Sequence, residues 1–214
     1  MRYDTLVTAA QWAGVEDPRL LAALATTPRD RFVPPRYAIR APFDEPIPIG
    51  HGQPTSQPSL IAQMIDALRL SGTETVLEIG TGYGYQTALL ARLARQVYSM
   101  ERHADLARHA RANLGATGVA NAEVTVGDGT AGLPEHAPFD AIVVSATARR
   151  VPAPLIEQLT EGGRLVMPIH EELDETVVLF GKRHGRLVQV RPLTPARFVP
   201  LIGEHADDPP PGPH

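Results

Sequence analysis

The fold is decided by one stretch of sequence, Thr75-Val76-Leu77-Glu78-Ile79-Gly80-Thr81-Gly82-Tyr83-Gly84-Tyr85. Its apolar and β-branched residues predict a buried strand, and its three alternate glycines predict a tight turn. A helical pattern follows at once. Glycine permits a positive φ and lets backbone N–H groups approach a ligand that a Cβ would push away. The turn therefore indicates a site for a nucleotide-like ligand.

Two familiar glycine-rich loops do not fit this turn. A Walker loop needs Lys followed by Ser or Thr after its last glycine, and here Tyr85-Gln86-Thr87 follows Gly84. The dinucleotide fingerprint G-x-G-x-x-G would require a third glycine where Tyr85 or Thr87 stands. What remains is Glu-x-Gly-x-Gly-x-Gly, which is typical of methyltransferases that bind S-adenosylmethionine. A turn that only packs a helix on a strand stays open as the alternative.

Three acidic residues at successive predicted strand ends favour the cofactor site. Glu78 would attract the cofactor's ammonium group, directly or through water. Glu101 ends the predicted strand Gln96–Met100, about twenty residues after the turn, where a carboxylate reaches ribose hydroxyls. Asp128 follows a third short strand and could accept a hydrogen bond from the adenine amino group. Each acid alone could be a solvated loop charge, but open α/β sheets bind ligands at this edge.

Composition limits the remaining possibilities. A chain of 214 residues with 43% hydrophobic residues can form one globular domain. The net charge of −4 and the absence of a Lys/Arg cluster argue against nucleic acid as a partner. Zero cysteines exclude disulfides and Cys-based metal or nucleophile sites. No apolar run predicts a signal peptide or a membrane span, so a cytoplasmic location is expected.

The segment before the glycine turn contains a long irregular loop, residues 42–58, rich in proline and glycine. Such a loop is usually functional. A helical pattern starts at Pro58, so Ser56 is expected near a helix N-terminus, where free N–H groups and a hydroxyl favour an anion. The alternative is that Ser56 is only the helix N-cap.

The rest of the chain alternates helix and strand and then ends in a hairpin. This order predicts an α/β fold, a doubly wound and mostly parallel sheet with a C-terminal antiparallel hairpin, as in the Rossmann-like methyltransferases. We expect an N-terminal cap and substrate loop over residues 1–58, the cofactor-binding domain over 59–203 and a disordered tail over 204–214. The predicted elements are helices at Pro18–Leu24, Gln86–Leu93, Asp105–Leu114 and Pro154–Leu159, and strands at Glu123–Val126, Phe139–Val144, Arg164–Pro168, Thr176–Phe180 and Arg186–Val190.

Several motifs together resemble the protein-L-isoaspartate O-methyltransferase family over about residues 31–201. The resemblance implies that S-adenosylmethionine donates a methyl group to the free α-carboxylate of an isoaspartyl residue in a peptide or protein. S-adenosylhomocysteine is then the other product. The methyl ester collapses to a succinimide, and the damaged protein is repaired through this intermediate. The motifs are Pro46-Ile47-Pro48-Ile49-Gly50-His51-Gly52-Gln53, Ser56-Gln57-Pro58, Val76 to Gln86, Gly127-Asp128-Gly129, Ala137-Pro138-Phe139-Asp140-Ala141-Ile142 and Arg197-Phe198-Val199-Pro200-Leu201.

Site residues follow from the motifs and the resemblance together. Ser56 matches the family serine that approaches the reacting carboxylate. A carboxylate is already ionised at neutral pH, so no general base is needed to activate it. We expect no metal ion in the site, and we expect the protein to be a monomer. The cofactor site is predicted to contain Glu78, Gly80, Thr81, Gly82, Gly84, Glu101, Asp128 and Gly129, and the substrate site Thr55, Ser56, Ala146, Arg149 and Arg150.

Two departures from the family pattern leave the substrate open. Pro54 stands where the family has threonine, and Arg149 and Arg150 follow the central strand, where they would favour an acidic peptide or simply face water. One alternative is therefore an enzyme dedicated to an aspartate side chain of a ribosomally made peptide, with an aspartimide as product. Another is a regulatory protein that binds S-adenosylmethionine without turnover.

Overall fold

The computed structural model describes residues 4–171 and 174–206, which form a seven-stranded sheet with helices on both faces and a separate two-stranded sheet. The α-helices are α1 (Asp4–Trp12), α2 (Pro18–Thr26), α3 (Pro58–Ala67), α4 (Tyr85–Ala91), α5 (Ala104–Ala116) and α6 (Ala153–Gln158). Short 3-10 turns occupy Arg29–Phe32, Pro35–Arg40, Gly129–Ala131 and Pro134–His136. The strands are β1 (Ile47–Gly50), β2 (Gln53–Thr55), β3 (Thr75–Ile79), β4 (Gln96–Glu101), β5 (Ala122–Val126), β6 (Phe139–Val144), β7 (Leu159–Glu171), β8 (Asp174–Arg183) and β9 (Arg186–Pro195).

The main sheet has seven strands in the order β5-β4-β3-β6-β7-β8-β9. The first five strands in this order, from β5 through β4, β3 and β6 to β7, are parallel to one another. Strands β8 and β9 pair antiparallel at the other edge. The predicted doubly wound sheet with a C-terminal hairpin is confirmed. The chain moves outward from β3 to β4 and β5 and then returns to β6 on the other side of β3. This reversal is the switch point at which such sheets bind ligands.

Alternation along the central strands gives the sheet a core on each face. Val76 of β3 packs with the helices α1 to α5, whereas Leu77 packs with α6 on the opposite side. Successive side chains of a strand point to opposite faces, and a strand covered on both faces must be apolar throughout. All five residues of β3 are buried, including Glu78. A buried acid inside such a strand calls for a specific reason.

Element boundaries agree with the sequence except where pairing extends a strand. The predicted strand Arg164–Pro168 is the centre of β7, which runs from Leu159 to Glu171 because it pairs with β8 over its whole outer half. The hairpin turn places His184 and Gly185 at positive φ, as tight hairpins require. None of the helices within the described ranges has the length and apolarity that crossing a bilayer requires.

The C-terminal boundary differs from the prediction of a disordered tail beginning at residue 204. Residues 204–206 form a turn, and the backbone N–H of Glu204 donates to Asp128 Oδ2 at 2.7 Å. The rest of the predicted tail, residues 207–214, lies outside the described residues. The Asp128 carboxylate therefore holds the turn that residues 204–206 form.

Helix α3 begins at Pro58 with Gln57 as its N-cap, so the interpretation of Ser56 as the N-cap is wrong. The cap comes instead from Asp44, which accepts from the Ser59 N–H and the Ser59 hydroxyl, both at 2.8 Å. This carboxylate accepts a hydrogen bond from an N–H group in the first turn, so the N-terminus of α3 is already capped by a negatively charged group. Ser56 lies just outside the helix and does not cap it.

The predicted irregular loop contains the small hairpin β1–β2, and a buried arginine holds it. Arg29 has no exposed surface and donates to the carbonyls of Phe43 at 2.7 Å and Glu45 at 2.8 Å. It also donates to Thr55 Oγ1 at 3.1 Å and lies 5.8 Å from the centre of the Tyr85 ring. One side chain thus joins the loop to the start of α4, next to the glycine turn.

We expect Arg29→Met to destabilise the protein by roughly 2–4 kcal/mol, because an unpaired buried acceptor costs about 1–3 kcal/mol and water will reach some of them. Urea unfolding followed by circular dichroism measures this. The matched control is Arg31→Met, since Arg31 is exposed. Equal stability of the two variants would contradict the role assigned to Arg29.

Candidate active site

A cavity of about 540 Å³ opens at the carboxyl edge of β3, β4 and β6. Its walls combine the glycine turn, the end of β4, the segment after β2 and the extended chain after β9. The residues used below that line it are Thr55, Ser56, Gly80, Thr81, Gly82, Gln86, Glu101, His103, Gly129, Ser145, Ala146, Leu201 and Ile202. The predicted donor and acceptor segments therefore share one cavity.

The three glycines of the turn have positive φ values of 96°, 56° and 91° at Gly80, Gly82 and Gly84. A Cβ on Gly82 would lie 3.1 Å from Ile49 Cδ1, and one on Gly80 would lie 3.3 Å from Ser145 Cβ. Gly80 and Gly82 thus keep the cavity open. Gly84 lies outside the lining, and a Cβ there would meet Ala110 at 3.4 Å. The structure places Gly84 where it lets α5 pack closely.

Glu101 is the acid that faces the cavity. The residue is 5% exposed, and its two carboxylate oxygens accept from the N–H groups of Gly82 at 2.9 Å and His103 at 3.0 Å. Each carboxylate oxygen retains capacity for a further hydrogen bond. The end of β4 and the glycine turn therefore hold each other, and an oriented acceptor for hydroxyl groups lies between them.

Glu78 is fully buried and outside the cavity lining, so the direct contact with an ammonium group that the sequence allowed is not available. Its Oε2 accepts from the hydroxyls of Thr87 at 2.5 Å and Ser99 at 2.6 Å. The Ser99 hydroxyl in turn lies 2.5 Å from that of Thr81, which lines the cavity. Burial is the largest influence and raises the pKa of Glu78 to about 7, although both hydroxyls act to lower it.

Gln86 is a site residue to which the sequence assigned no role. It lies at the start of α4, is 6% exposed and donates from Nε2 to Ser145 Oγ at 3.1 Å. Its Oε1 is buried and has no hydrogen-bond partner within the described part of the chain. The same side chain also bonds to Glu78 and acts to lower the pKa of that acid, so Gln86 joins the cavity wall to the buried carboxyl group. The sequence signal that could have identified it is a polar residue at the start of a mainly apolar helix.

Asp128 and Gly129 follow β5, but only Gly129 lines the cavity. A Cβ on Gly129 would come within 2.4 Å of Ile79 Cγ2, so glycine is required for this loop to lie against β3. The Asp128 carboxylate accepts from the N–H and hydroxyl of Thr130 and from the N–H of Glu204. The structure thus uses most of the acceptor capacity of this acid within the protein.

On the acceptor side, Ser56 lines the cavity and is half-buried. Thr55 also lines it, but its hydroxyl oxygen accepts from Arg29 and from the Ile47 N–H, both at 3.1 Å. Because both lone pairs are used, the Thr55 hydroxyl can only donate to a substrate. Ser56 is therefore the more versatile polar group of this segment.

The loop after β6 is divided between cavity and surface. Ala146 lines the cavity, whereas Arg149 and Arg150 are exposed and outside its lining. The structure thus brings together Ser56, Ala146, the glycine turn, Glu101 and Gly129, and it leaves the arginine pair at the surface. The cavity lining therefore gives no support to the predicted substrate-binding role of Arg149 and Arg150.

A contact missed in the sequence joins the two sides. His51, at the tip of the β1–β2 hairpin, has a φ of 52° and stacks on His103 with ring centres 4.2 Å apart. Its Nε2 lies 2.8 Å from Asp105 Oδ2, and this hydrogen bond lowers the pKa of Asp105. The hairpin that leads to Ser56 is thereby fastened beside Glu101.

A parallel sheet with this switch point, a Glu-x-Gly-x-Gly-x-Gly turn and a carboxylate at the end of the next strand define a Rossmann-like, S-adenosylmethionine-dependent methyltransferase. The family model described as Protein-L-isoaspartate(D-aspartate) O-methyltransferase (PCMT) matches residues 1–206. The chain belongs to this family.

Individual relatives agree with this assignment. A protein-L-isoaspartate O-methyltransferase of Methanoculleus marisnigri is 50% identical over 191 residues, which cover 89% of this chain and 86% of the relative. One of Anaeromyxobacter dehalogenans is 50% identical over 197 residues, with 90% and 94% covered. Curated relatives of this name thus match nearly end to end.

Two solved structures share the fold. One named protein-L-isoaspartate O-methyltransferase has a TM-score of 0.83 and 30% identity, covering 96% of this chain and 67% of its own. A Plasmodium falciparum protein in complex with S-adenosyl-L-homocysteine has a TM-score of 0.80 at 22% identity, covering 94% and 98%. The second supports the fold alone.

The raised pKa of Glu78 predicts a pH-dependent stability. When folding raises the pKa of an acid, that acid stabilises the folded protein at pH values below its pKa in the unfolded chain. This stabilisation is lost as the pH rises from about 4.5 to about 7. At 1.36 kcal/mol per pKa unit the loss is about 3 kcal/mol. We expect Glu78→Gln to remove it, so that the stability difference between wild type and variant changes by this amount between pH 4.5 and 7.5.

Chemical unfolding at several pH values, in the absence of ligand, measures this difference. Glu123→Gln, at an exposed position on β5, is the control and should follow the wild-type pH dependence. If the Glu78→Gln curve also runs parallel to wild type, Glu78 does not titrate as described.

Proposed function

We propose that this chain transfers the methyl group of S-adenosylmethionine to the free α-carboxylate of L-isoaspartyl residues in peptides and proteins. The observation that carries the proposal is that Ser56 shares one cavity with the glycine turn and Glu101. The names of relatives that are 50% identical over most of their length support the same substrate class.

At the donor end the residues present fit the proposed cofactor. Gly80 and Gly82 leave room that a Cβ would fill, and Glu101 offers an acceptor for ribose hydroxyls. We expect the adenine to lie beside Gly129, which lines the cavity. Glu78 is a positioning residue: it binds the Ser99 hydroxyl, which in turn orients the hydroxyl of Thr81 on the cavity wall. When bound, S-adenosylmethionine supplies an electrophilic methyl group on a sulfonium.

At the acceptor end the chain needs to orient an anion rather than create one. An α-carboxyl group has an ordinary pKa of about 3.3–3.7, so it is ionised at neutral pH and requires no general base. The Ser56 hydroxyl can donate one hydrogen bond to the oxygen that does not react, and Thr55 can donate another. Orientation of this kind is worth roughly 7–11 kcal/mol in favourable intramolecular cases.

The alternative substrate, an aspartate side chain of a dedicated peptide, has less support. Its basis in the sequence is partly Arg149 and Arg150, which lie outside the cavity lining. A binding protein without turnover is likewise not favoured, because Ser56 remains on an open cavity wall. Neither alternative explains the relatives' shared name.

Transfer of labelled methyl from S-adenosylmethionine to paired peptides tests the proposal. The peptides are identical except for one isoaspartyl or aspartyl residue, and base-labile ester is counted. We expect ester on the isoaspartyl peptide only. Ester on the aspartyl peptide instead would favour the dedicated enzyme, and tight cofactor binding with no ester on either would favour the binding protein.

Ser56→Ala should lower kcat by about 10- to 100-fold, because a hydrogen bond to a charged group is worth about 1.5–3 kcal/mol. Binding of S-adenosylhomocysteine should be unchanged, since Ser56 is assigned to the acceptor. The control Thr26→Ala removes an exposed hydroxyl on α2 that bonds only to its own helix. Unchanged kcat in Ser56→Ala would remove Ser56 from the mechanism.

A further inference from the structure

The last residues of β9 and the chain that follows them form one wall of the cavity. Residues 194–202, which we call the wall segment, all line it. On one edge of this segment the N–H of Ala196 donates to the Glu175 carbonyl at 3.0 Å, and the N–H of Phe198 donates to Glu175 Oε1 at 2.6 Å. On the other edge the backbone of Thr147 makes two hydrogen bonds with the segment. The wall segment is therefore held along both edges.

Arg197 is a cation within this segment. It is exposed and lines the cavity, and the residues before and after it in the chain are the two that bond to Glu175. Among residues 4–171 and 174–206, no acid lies within ion-pair distance of its guanidinium. Burial raises the pKa of Glu175, and Arg197 acts in the opposite direction from a longer distance. The backbone of Arg197 is thus fixed while its charge is left available.

The charges of the cavity wall are divided between its two sides. Of the lining residues that the structure describes, Glu101, Arg102 and Arg197 carry a formal charge. The first two lie at the end of β4, whereas Arg197 lies beside β8, four strands further along the sheet. Neighbouring strands are about 4.8 Å apart, so roughly 19 Å separates β4 from β8. Away from the donor side, the fixed charge of the wall is therefore a single positive one.

We propose that Arg197 is a substrate-binding residue that attracts the carboxylate of the methyl acceptor, and that Glu175 is the positioning residue that holds Arg197 at the cavity wall. A guanidinium stays charged throughout the pH range of folded proteins and donates up to five hydrogen bonds. This inference rests on the proposed function only in taking the acceptor to be a carboxylate. It applies equally to an isoaspartyl and to an aspartyl peptide.

The experiment measures binding of a fluorescent isoaspartyl peptide to protein saturated with S-adenosylhomocysteine, by anisotropy at low and at high salt. Arg197→Gln should raise the peptide Kd about 5- to 10-fold at low salt, and the difference should shrink at high salt. Arg191→Gln removes the same charge from an exposed position on β9 outside the lining and should bind as wild type does. The affinity for S-adenosylhomocysteine should be the same in all three proteins.

Conservative variants separate charge and position from packing. Arg197→Lys keeps the cation and should recover most of the affinity that Arg197→Gln loses. Glu175→Ala removes the acceptor of the Phe198 N–H and should raise the peptide Kd about 3- to 10-fold, whereas Glu175→Gln keeps an acceptor oxygen and should not. A wild-type Kd for Arg197→Gln, or an equal and salt-independent loss in Arg197→Gln and Arg197→Lys, would overturn the proposal.

The matched aspartyl peptide distinguishes failure of this inference from failure of the proposed function. If wild type binds and methylates the aspartyl peptide instead, the proposed function fails, and weaker binding of that peptide by Arg197→Gln still supports the role of Arg197. If wild type binds neither peptide, Arg197 does not bind an acceptor carboxylate and the inference is overturned.

Discussion

The structure depends on the parallel pairing of β3 with β4 and β6, which continues one step beyond the strands themselves. The first residue of each following loop donates its N–H to the end of a neighbouring strand. This pairing fixes three loops at one height on the sheet edge, and side chains far apart in sequence meet there. The bonds are Gly80 N–H to Met100 O at 2.8 Å, Ser145 N–H to Ile79 O at 2.9 Å and Gly127 N–H to Glu101 O at 3.0 Å.

A second framework, independent of the sheet, supplies the acceptor side. Arg29 gathers the loop before α3 through buried carbonyl contacts, and Asp44 fixes the start of α3, so Ser56 is held between two anchored points. The stacked His51 and His103 join this framework to the end of β4. The donor and acceptor positions are therefore set by rigid parts of the protein, as in-line transfer to an anion requires.

The sequence predicted what contiguous patterns encode. The glycine turn, the strand ends and the mostly parallel sheet with its C-terminal hairpin follow from hydrophobic period and turn chemistry within short windows. The partners of Arg29, the docking of residues 203–205 on Asp128 and the full burial of Glu78 depend on contacts between residues 14 to 76 positions apart. Local pattern does not carry such contacts, so the surroundings of the acids were less well predicted than their positions.

The most direct test of this account is a crystal structure of the protein with S-adenosylhomocysteine and an isoaspartyl peptide bound together. We expect the ribose hydroxyls to bind the Glu101 carboxylate and the peptide's α-carboxylate to lie within hydrogen-bond distance of Ser56 Oγ. A ribose bound away from Glu101, or a carboxylate bound outside the cavity that Ser56 lines, would contradict it.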